Sequence, residues 1–371
     1  MFSNWFLKSF RVLLFPFSFL FGLIVWLRNW LYDHNVFKSV SFGIPLINVG
    51  NLSVGGTGKS PMVEYIVLHL KEKFKVATLS RGYKRKTKGY ALATANTTAV
   101  DIGDEPMLFF KKFPDIPVAI GEQRLEAIPQ LLHDKPETEV IILDDAFQHR
   151  VINAGLNILL TDYDNLFTRD FFLPTGDLRD MRSSYKRAQI IVVSKCPPTI
   201  SIEEKHEIIN ELDVLAHQKT FFTSIKYGEP YHIVDGSAYT LNDTTDVLLV
   251  TGIANPLPLK NYLEEKAESY SMMQYQDHYN FVIDDWREIR DRFEGMDAAN
   301  KIILTTEKDA MRLLKFSNEL QGIPFYVIPI EHNFLFNEGG QFENEIIRFI
   351  ANFKKPINGT KTFEENQQEK A

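Results

Sequence analysis

The stretch Ile47-Asn48-Val49-Gly50-Asn51-Leu52-Ser53-Val54-Gly55-Gly56-Thr57-Gly58-Lys59-Ser60 decides the fold. A short apolar run leads into a glycine-rich turn that ends in Gly-Lys-Ser. Residues 61–70 read as a helix with Pro61 near its first turn, where a missing N–H costs little. Strand, glycine loop and helix in this order are what a phosphate-binding loop requires. Glycines let backbone N–H groups turn inward around an anion, and the helix N-terminus adds partial positive charge. The predicted cradle is Ser53, Val54, Gly55, Gly56, Thr57, Gly58, Lys59 and Ser60, with Ser53 where the G-x-x-x-x-G-K-[ST] pattern has its leading glycine. In such a loop Lys59 reaches the β- and γ-phosphates, and the Ser60 hydroxyl holds Mg²⁺.

Outward from the loop, short apolar runs end in polar residues. Residues 75–80 read as a strand followed by Arg81-Gly82-Tyr83-Lys84-Arg85-Lys86, a basic loop at the sheet edge where α/β folds bind ligands. Gly103-Asp104-Glu105-Pro106 opens a helix through Lys112, with Asp104 as its expected N-cap. A strand over 118–120 precedes a helix from Glu122 that carries Arg124. Val140-Ile141-Ile142-Leu143-Asp144-Asp145 is a buried-strand pattern ending in two aspartates, the element a phosphate-loop enzyme uses around Mg²⁺. Ala146-Phe147-Gln148-His149-Arg150 extends it with polar groups. Further on come a strand over 156–160, the loop Leu173-Pro174-Thr175-Gly176-Asp177-Leu178-Arg179-Asp180, and a strand over 189–193 ending in Ser194-Lys195-Cys196-Pro197. A GTPase carries a guanine-reading Asp where Pro197 stands, so the sequence does not support guanine specificity.

Five or more strands alternating with helices make an α/β fold, a phosphate-loop NTPase-like doubly wound parallel sheet. The spacing changes after Ile200: residues 221–226 and 230–234 read as a two-stranded connector, and 247–250 open a second, smaller α/β unit. That unit carries Thr251-Gly252-Ile253-Ala254-Asn255-Pro256, Gln276-Asp277-His278-Tyr279 and Thr305-Thr306-Glu307-Lys308-Asp309, with a last strand over 324–330 and a helix over 342–353. The expected division is 1–35 for an N-terminal membrane-associated helix, 36–220 for the phosphate-loop domain, 221–240 for the connector, 241–355 for the second domain and 356–371 for a polar tail.

The N-terminus sets the cellular expectation. From Val12 to Leu27 every residue is apolar except Pro16, Ser18 and Gly22, with Lys8 and Arg11 before the run and Arg28 after it. Trp5, Trp26, Trp30 and Tyr32 stand near its ends, as interfacial aromatics do. A cleaved signal needs small residues at its cleavage site, a full span is open, and a buried core helix is the plain alternative; an anchor lying on one leaflet fits best. The net charge of −7 argues against a nucleic-acid partner, and the single cysteine, Cys196, excludes an internal disulfide.

The ordered set S-V-G-G-T-G-K-S, S-R-G-Y, G-D-E-P, D-D-A-F-Q-H, L-P-T-G-D-L-R-D, T-G-I-A-N-P, Q-D-H-Y and T-T-E-K-D resembles the tetraacyldisaccharide 4′-kinase (lipid A 4′-kinase) family over nearly the whole chain. The resemblance implies ATP- and Mg²⁺-dependent phosphorylation of a lipid A precursor, a tetraacyldisaccharide 1-phosphate, at its 4′-hydroxyl. It places that activity on the cytoplasmic face of the bacterial inner membrane, with the nucleotide in the cleft between two α/β domains. It also implies that Asp104 is the base, paired with His278, and that Asp144 and Asp145 orient Mg²⁺. Lys59 and Arg179 then join the catalytic group, and Arg81, Arg124, Gln148 and Asp180 are candidates at the substrate. The chain departs from the family at Ala146, Asp180 and Tyr279, where Gly, Glu and His are usual. The competing class is a membrane-associated phosphate-loop GTPase or switch protein.

Overall fold

A computed structural model describes residues 11–353. The strands are β1 (Leu46–Asn51), β2 (Val76–Ser80), β3 (Ala91–Leu92), β4 (Val118–Ile120), β5 (Val140–Asp144), β6 (Leu156–Asp162), β7 (Ile190–Ser194), β8 (Lys219–Tyr227), β9 (Tyr231–His232), β10 (Asp246–Thr251), β11 (Ser269–Gln274), β12 (Lys301–Thr306), β13 (Phe325–Ile328) and β14 (Ile330–Phe334). The main helices are α1 (Phe15–Asp33), α2 (Lys59–Leu70), α3 (Asp104–Lys112), α4 (Arg124–Asp134), α5 (Ile202–Leu212), α6 (Leu257–Lys266), α7 (Ile283–Glu294), α8 (Glu307–Leu313) and α9 (Gly339–Ala351).

β1 lies mid-sheet because the runs around it are apolar on both faces, as strands covered by helices must be. Every residue of β1, β2, β5 and β7 is buried. The sheet has nine strands in the order β14-β8-β7-β6-β1-β5-β2-β4-β3, with β3 and β14 antiparallel at its two edges and the rest parallel. β1 pairs with β5 on one side and β6 on the other, and the register sets Val49 against Asp144. The strand that feeds the glycine loop therefore ends beside the strand that ends in aspartate. This is where strand order reverses, the place such sheets bind ligands.

The second sheet is β11-β10-β12-β13-β9, parallel except for β9. Helix α3 belongs to both cores: Met107 and Leu108 pack with Val250, Trp286 and Phe325 of the second, while Phe109 packs with Val63 and Val67 of the first. Ion pairs across α3 and α8 join the same two units: Glu105 to Lys308 at 2.8 Å and Lys112 to Glu307 at 2.5 Å, with Asp104 bonded to Arg312.

The two strands expected to form a connector do not pair with each other. β8 extends the first sheet beside β7, and β9 pairs with β13 in the second. The single strand expected over 324–330 is likewise two strands, in different sheets. Pro329 separates them, since it has no N–H to continue a ladder. It packs on Gly228, where a Cβ would lie 2.9 Å from its ring, and accepts the Gly228 N–H at 3.0 Å. β14 and α9 then return to the first unit, where Phe342, Ile346 and Ile350 join its core.

Helix α1 buries only Ser18, Gly22, Val25 and Asn29, a seam of helical period. Gly22 admits the Phe172 ring, which an added Cβ would meet at 2.9 Å. Away from the seam Phe17, Phe19, Leu20, Leu23, Ile24 and Trp26 are exposed, so the helix is not a core element. By length and composition residues Val12–Asp33 are sufficient to cross a membrane. Trp5, Lys8 and the tail 356–371 lie outside the described residues.

Candidate active site

The glycine loop leaves β1 and enters α2 through Gly58, whose φ of 82° is left-handed and suits a residue without Cβ. An added Cβ there would sit 3.0 Å from the His332 ring, whereas at Gly55 and Gly56 it would meet nothing within 4 Å. The loop is held from behind. Asn51 Nδ2 donates to Thr57 Oγ1 at 3.0 Å, and Ser194 Oγ donates to the Thr57 carbonyl at 2.9 Å. Val54 N–H donates to the Asp177 carbonyl at 2.7 Å, so Ser53 and Val54 are fixed by the 173–180 loop. Lys59 and Ser60 open the helix, and Ser60 is buried.

Lys59 Nζ lies 3.9 Å from Asp145 Oδ1, and Arg179 donates to both oxygens of the same carboxylate and, at 2.5 Å, to Asn51 Oδ1. Burial disfavours ionisation of Asp145, but Lys59 and Arg179 outweigh it and hold its carboxyl below the usual range. Burial lowers the Lys59 pKa, against the pull of Asp145. Asp144, one residue earlier, differs. It is buried at the end of β5, with Ser80 Oγ donating to it at 3.3 Å, and burial with Asp145 and Glu105 nearby pushes its pKa up to about 7. A buried carboxylate with this little compensation takes up either a proton or a cation.

Gly103, at φ 94°, takes the N-cap position of α3, so Asp104 is the first helical residue and caps nothing. Its carboxylate turns instead to the second unit, where His278 Nδ1 lies 2.9 Å from Oδ2 and Arg312 donates to the same oxygen. Burial raises the carboxyl pKa, but the His278 and Arg312 hydrogen bonds more than reverse it. His278 sits in a left-handed conformation at φ 60°, with the Tyr83 ring edge-on at 5.5 Å. Arg312 is fixed in turn by Asp309, which also accepts from Thr306 Oγ1 at 2.7 Å and Gly252 N–H at 2.9 Å. The T-T-E-K-D and T-G-I-A-N-P stretches thus meet around Asp309.

The remaining candidates are placed differently. Arg81 is exposed at the carboxyl end of β2. Arg124 is buried, and its guanidinium donates to the Gly121 carbonyl at 2.9 Å and the Glu122 carbonyl at 3.3 Å. Gln148 Nε2 donates to the Asn51 carbonyl at 2.8 Å, and its own carbonyl accepts from Arg28 of α1 at 2.5 Å. Asp180 is fully buried and accepts from Asn29 of α1 at 2.7 Å, Ser184 at 2.9 Å and Arg187 at 2.9 Å. Gln148 and Asp180 therefore tie α1 to the loops of the site. In the basic loop, Arg85 bonds Glu122 at 2.6 Å while Lys84 and Lys86 are exposed. Lys195 bonds Asp162 at 2.6 Å, and no carboxylate occupies the guanine-reading position held by Pro197.

Sequence reasoning missed Arg312, Lys308, Asn51 and His332. Arg312 and Lys308 sit one turn apart on α8, as the charges of any solvated helix face do. His332 Nε2 lies 2.8 Å from the Gly58 carbonyl and Nδ1 lies 2.9 Å from Thr223 Oγ1. The one clue was position: Asn51 ends β1, and Lys308 and Arg312 follow the end of β12.

A sequence model of the LpxK family, described as tetraacyldisaccharide-1-P 4′-kinase, matches residues 10–350. The tetraacyldisaccharide 4′-kinase of Bacteroides thetaiotaomicron is 42% identical over 353 residues, covering 91% of this chain and 92% of that protein. That of Flavobacterium johnsoniae is 44% identical over 348 residues, covering 93% and 99%. Among solved structures, LpxK from Aquifex aeolicus, crystallised in complex with ATP, superposes with a TM-score of 0.71 at 28% identity, covering 92% of this chain and 99% of that one. The chain belongs to the LpxK family, the tetraacyldisaccharide-1-P 4′-kinases.

Proposed function

We propose that the chain transfers the γ-phosphate of ATP to the 4′-hydroxyl of a tetraacyldisaccharide 1-phosphate at a membrane surface. The observation that carries this reading is the placement of the α3 N-terminus. Glu105 there bonds Lys308 of α8 at 2.8 Å and helps raise the Asp144 pKa at the strand ends that hold the glycine loop. Asp104, the residue before Glu105, opens that helix, and its Oδ2 already has two partners.

Asp104 Oδ1 takes the proton of the sugar hydroxyl. As that O–H bond breaks, the sugar oxygen bonds to the γ-phosphorus and the bond from phosphorus to the ADP oxygen breaks. The proton ends on Asp104 and ADP leaves with the electron pair. Backbone N–H groups of residues 53–60 receive the phosphates, and Lys59 exchanges Asp145 for the β- and γ-phosphate oxygens. Arg179 remains as a second cation beside them. Among the described residues no group of three or more His, Cys, Asp or Glu forms a metal cage. A kinase needs none, because nucleotide oxygens and water complete the shell of Mg²⁺. Ser60 and the weakly compensated Asp144 are the residues that would hold it, and its chemistry there is neutralisation of phosphate charge. Asp145, occupied by Lys59 and Arg179, serves to order those two cations.

Helix α1 supports the membrane part. Its exposed apolar face suits the acyl region of a leaflet, and its seam leads through Arg28 and Asn29 to Gln148 and Asp180. ATP as phosphate donor supports the cytoplasmic side for this surface. The test is transfer of label from γ-labelled ATP to tetraacyldisaccharide 1-phosphate in detergent micelles, with Mg²⁺ titrated. A labelled bisphosphate is expected. Tight GTP binding without transfer to lipid would support a switch protein instead.

A further inference from the structure

The contact between Arg312 and His278 poses a question of proton placement. Arg312 NH2 lies 3.0 Å from His278 Nδ1, which itself lies 2.9 Å from Asp104 Oδ2. A ring nitrogen either carries a proton and donates or is bare and accepts, and guanidinium only donates. If Nδ1 were bare it would accept from Arg312, but its lone pair would then face the Asp104 carboxylate oxygen. If Nδ1 carries the proton, His278 and Arg312 both donate to Oδ2, and their mutual approach follows from sharing one acceptor. With Asp104 ionised, the second arrangement is the stable one.

We propose that Arg312 is the positioning residue of the Asp104–His278 pair: its guanidinium shares Oδ2 with Nδ1–H, keeps Asp104 ionised, and leaves Oδ1 as the acceptor for the substrate proton. The inference rests on the reading of Asp104 as base. Arg312 suits this role because it is not free to move. It is buried, NH1 bonds Asp309 Oδ1 at 3.2 Å, and Asp309 is itself held by Thr306 and the Gly252 amide. A rigid planar fork fixes an oxygen in a way a lysine cannot. Charged and titratable groups face the pair from each element packed against it. From α8 come Arg312, Asp309 and Lys308, the last bonded to Glu105 of α3 at 2.8 Å. From the loop after β11 comes Asp277, 3.9 Å from His278 Nε2, and from the loop after β2 comes the Tyr83 ring. Among the described residues, Arg312 is the one Lys or Arg side chain in ion-pair contact with Asp104. The second unit thereby supplies not only His278 but the charge that sets the state of Asp104, so the base is competent only when the two units are docked through α3 and α8.

The test compares kcat and kcat/KM against pH for wild type, Arg312→Met, Arg312→Lys and Asp104→Asn, with ATP KM and thermal melting as folding controls. Arg312→Met should lower kcat by about 10–100-fold and move the acid limb of kcat/KM upward by about one to three pH units, because an adjacent opposite charge is lost. Arg312→Lys should keep the limb within about half a unit of wild type yet lower kcat about tenfold, since charge is kept and the fork is not. ATP KM should change less than about twofold in both. A folded Arg312→Met enzyme with normal ATP KM and an unmoved acid limb overturns the proposal. If Arg312→Met does not fold, Arg312→Lys decides, and wild-type kcat in it overturns the proposal equally. Asp104→Asn separates the two claims: an active Asp104→Asn enzyme removes the base reading itself, whatever Arg312 does.

Discussion

At the phosphate end of the site, Lys59, Arg179, Asp144 and Asp145 all come from the nine-stranded sheet and its loops, and the two cations are ion-paired with Asp145. At the acceptor end, Asp104 comes from that unit but His278 and Arg312 come from the other, joined across α3 and α8. These four residues of the phosphate end thus come from one unit, where strand register sets Asp144 beside β1. The acceptor end exists only while the two units are docked. Damage to the first should affect nucleotide and chemistry together, and damage to the second should affect chemistry with ATP still held.

The largest effect expected from this contrast is at Asp104. Asp104→Asn should lower kcat by about 10²–10⁴-fold and leave ATP KM within a few-fold, since the base acts on the acceptor and not on the nucleotide. Loss of ATP binding in step with kcat would show that the two ends are not separable. Lys59→Ala should follow, lowering kcat/KM for ATP by at least about 10²-fold, because the β- and γ-phosphate charge then goes unneutralised. Steady-state kinetics with ATP varied at saturating lipid checks both, and near-normal turnover in Lys59→Ala would remove the glycine loop from the mechanism.

One contact sharpens the comparison. His332 lies on β14, immediately after the chain leaves the second sheet, and touches the Gly58 carbonyl of the glycine loop at 2.8 Å. It is buried, and burial pushes its pKa down to about 4 from the ordinary 6.5. The unfolded chain therefore binds a proton below pH 6.5 that the folded chain refuses until about pH 4. Stability from His332 is complete above pH 6.5 and falls as pH drops through that window, by about 2 kcal/mol between pH 7 and pH 5. His149, also lowered to about 4 by burial, costs stability in the same direction as pH falls. Urea titrations of wild type and His332→Gln at both pH values isolate the His332 part, and equal losses in the two proteins would refute it.

The same contrast explains what could be read in advance. The phosphate end was legible because its chemistry is contiguous: a glycine loop between strand and helix, and aspartates at the end of an apolar strand. Which aspartate was uncompensated was not legible, because Arg179, which occupies Asp145, lies 34 residues away. Asp104 read as a helix cap because a carboxylate at a helix start ordinarily is one, and Gly103 had no visible reason to take that position instead. Arg312 was hidden because its partner Asp104 is 208 residues away and its local pattern is that of a solvated helix. The run over 324–330 read as one strand because apolar character continues through Pro329, although a proline inside a strand pattern is a reason to expect a break.

The smallest expected effect concerns α1, which meets the loops of the phosphate end through Gln148 and Asp180. Its polar seam and its apolar face make separate demands. The seam buries Ser18 and Asn29 against Thr175, Asp180 and Ser184, so deleting the helix would leave polar partners unmatched and confound stability with membrane binding. The outward face can be changed alone. Phe17 is 63% exposed and Phe19 is 68% exposed, and neither belongs to the buried seam. Replacing both with Gln removes two apolar side chains from any leaflet contact, each worth about 1.5–3 kcal/mol when fully buried. The double variant should melt like wild type, pellet less with anionic vesicles, and show a lipid KM raised about tenfold in mixed micelles, with ATP KM unchanged. A water-soluble deacylated acceptor should be phosphorylated equally by both proteins. Unchanged pelleting and unchanged lipid KM would show that this face does not meet the membrane, while a raised KM for the deacylated acceptor as well would place Phe17 and Phe19 in the acceptor end itself.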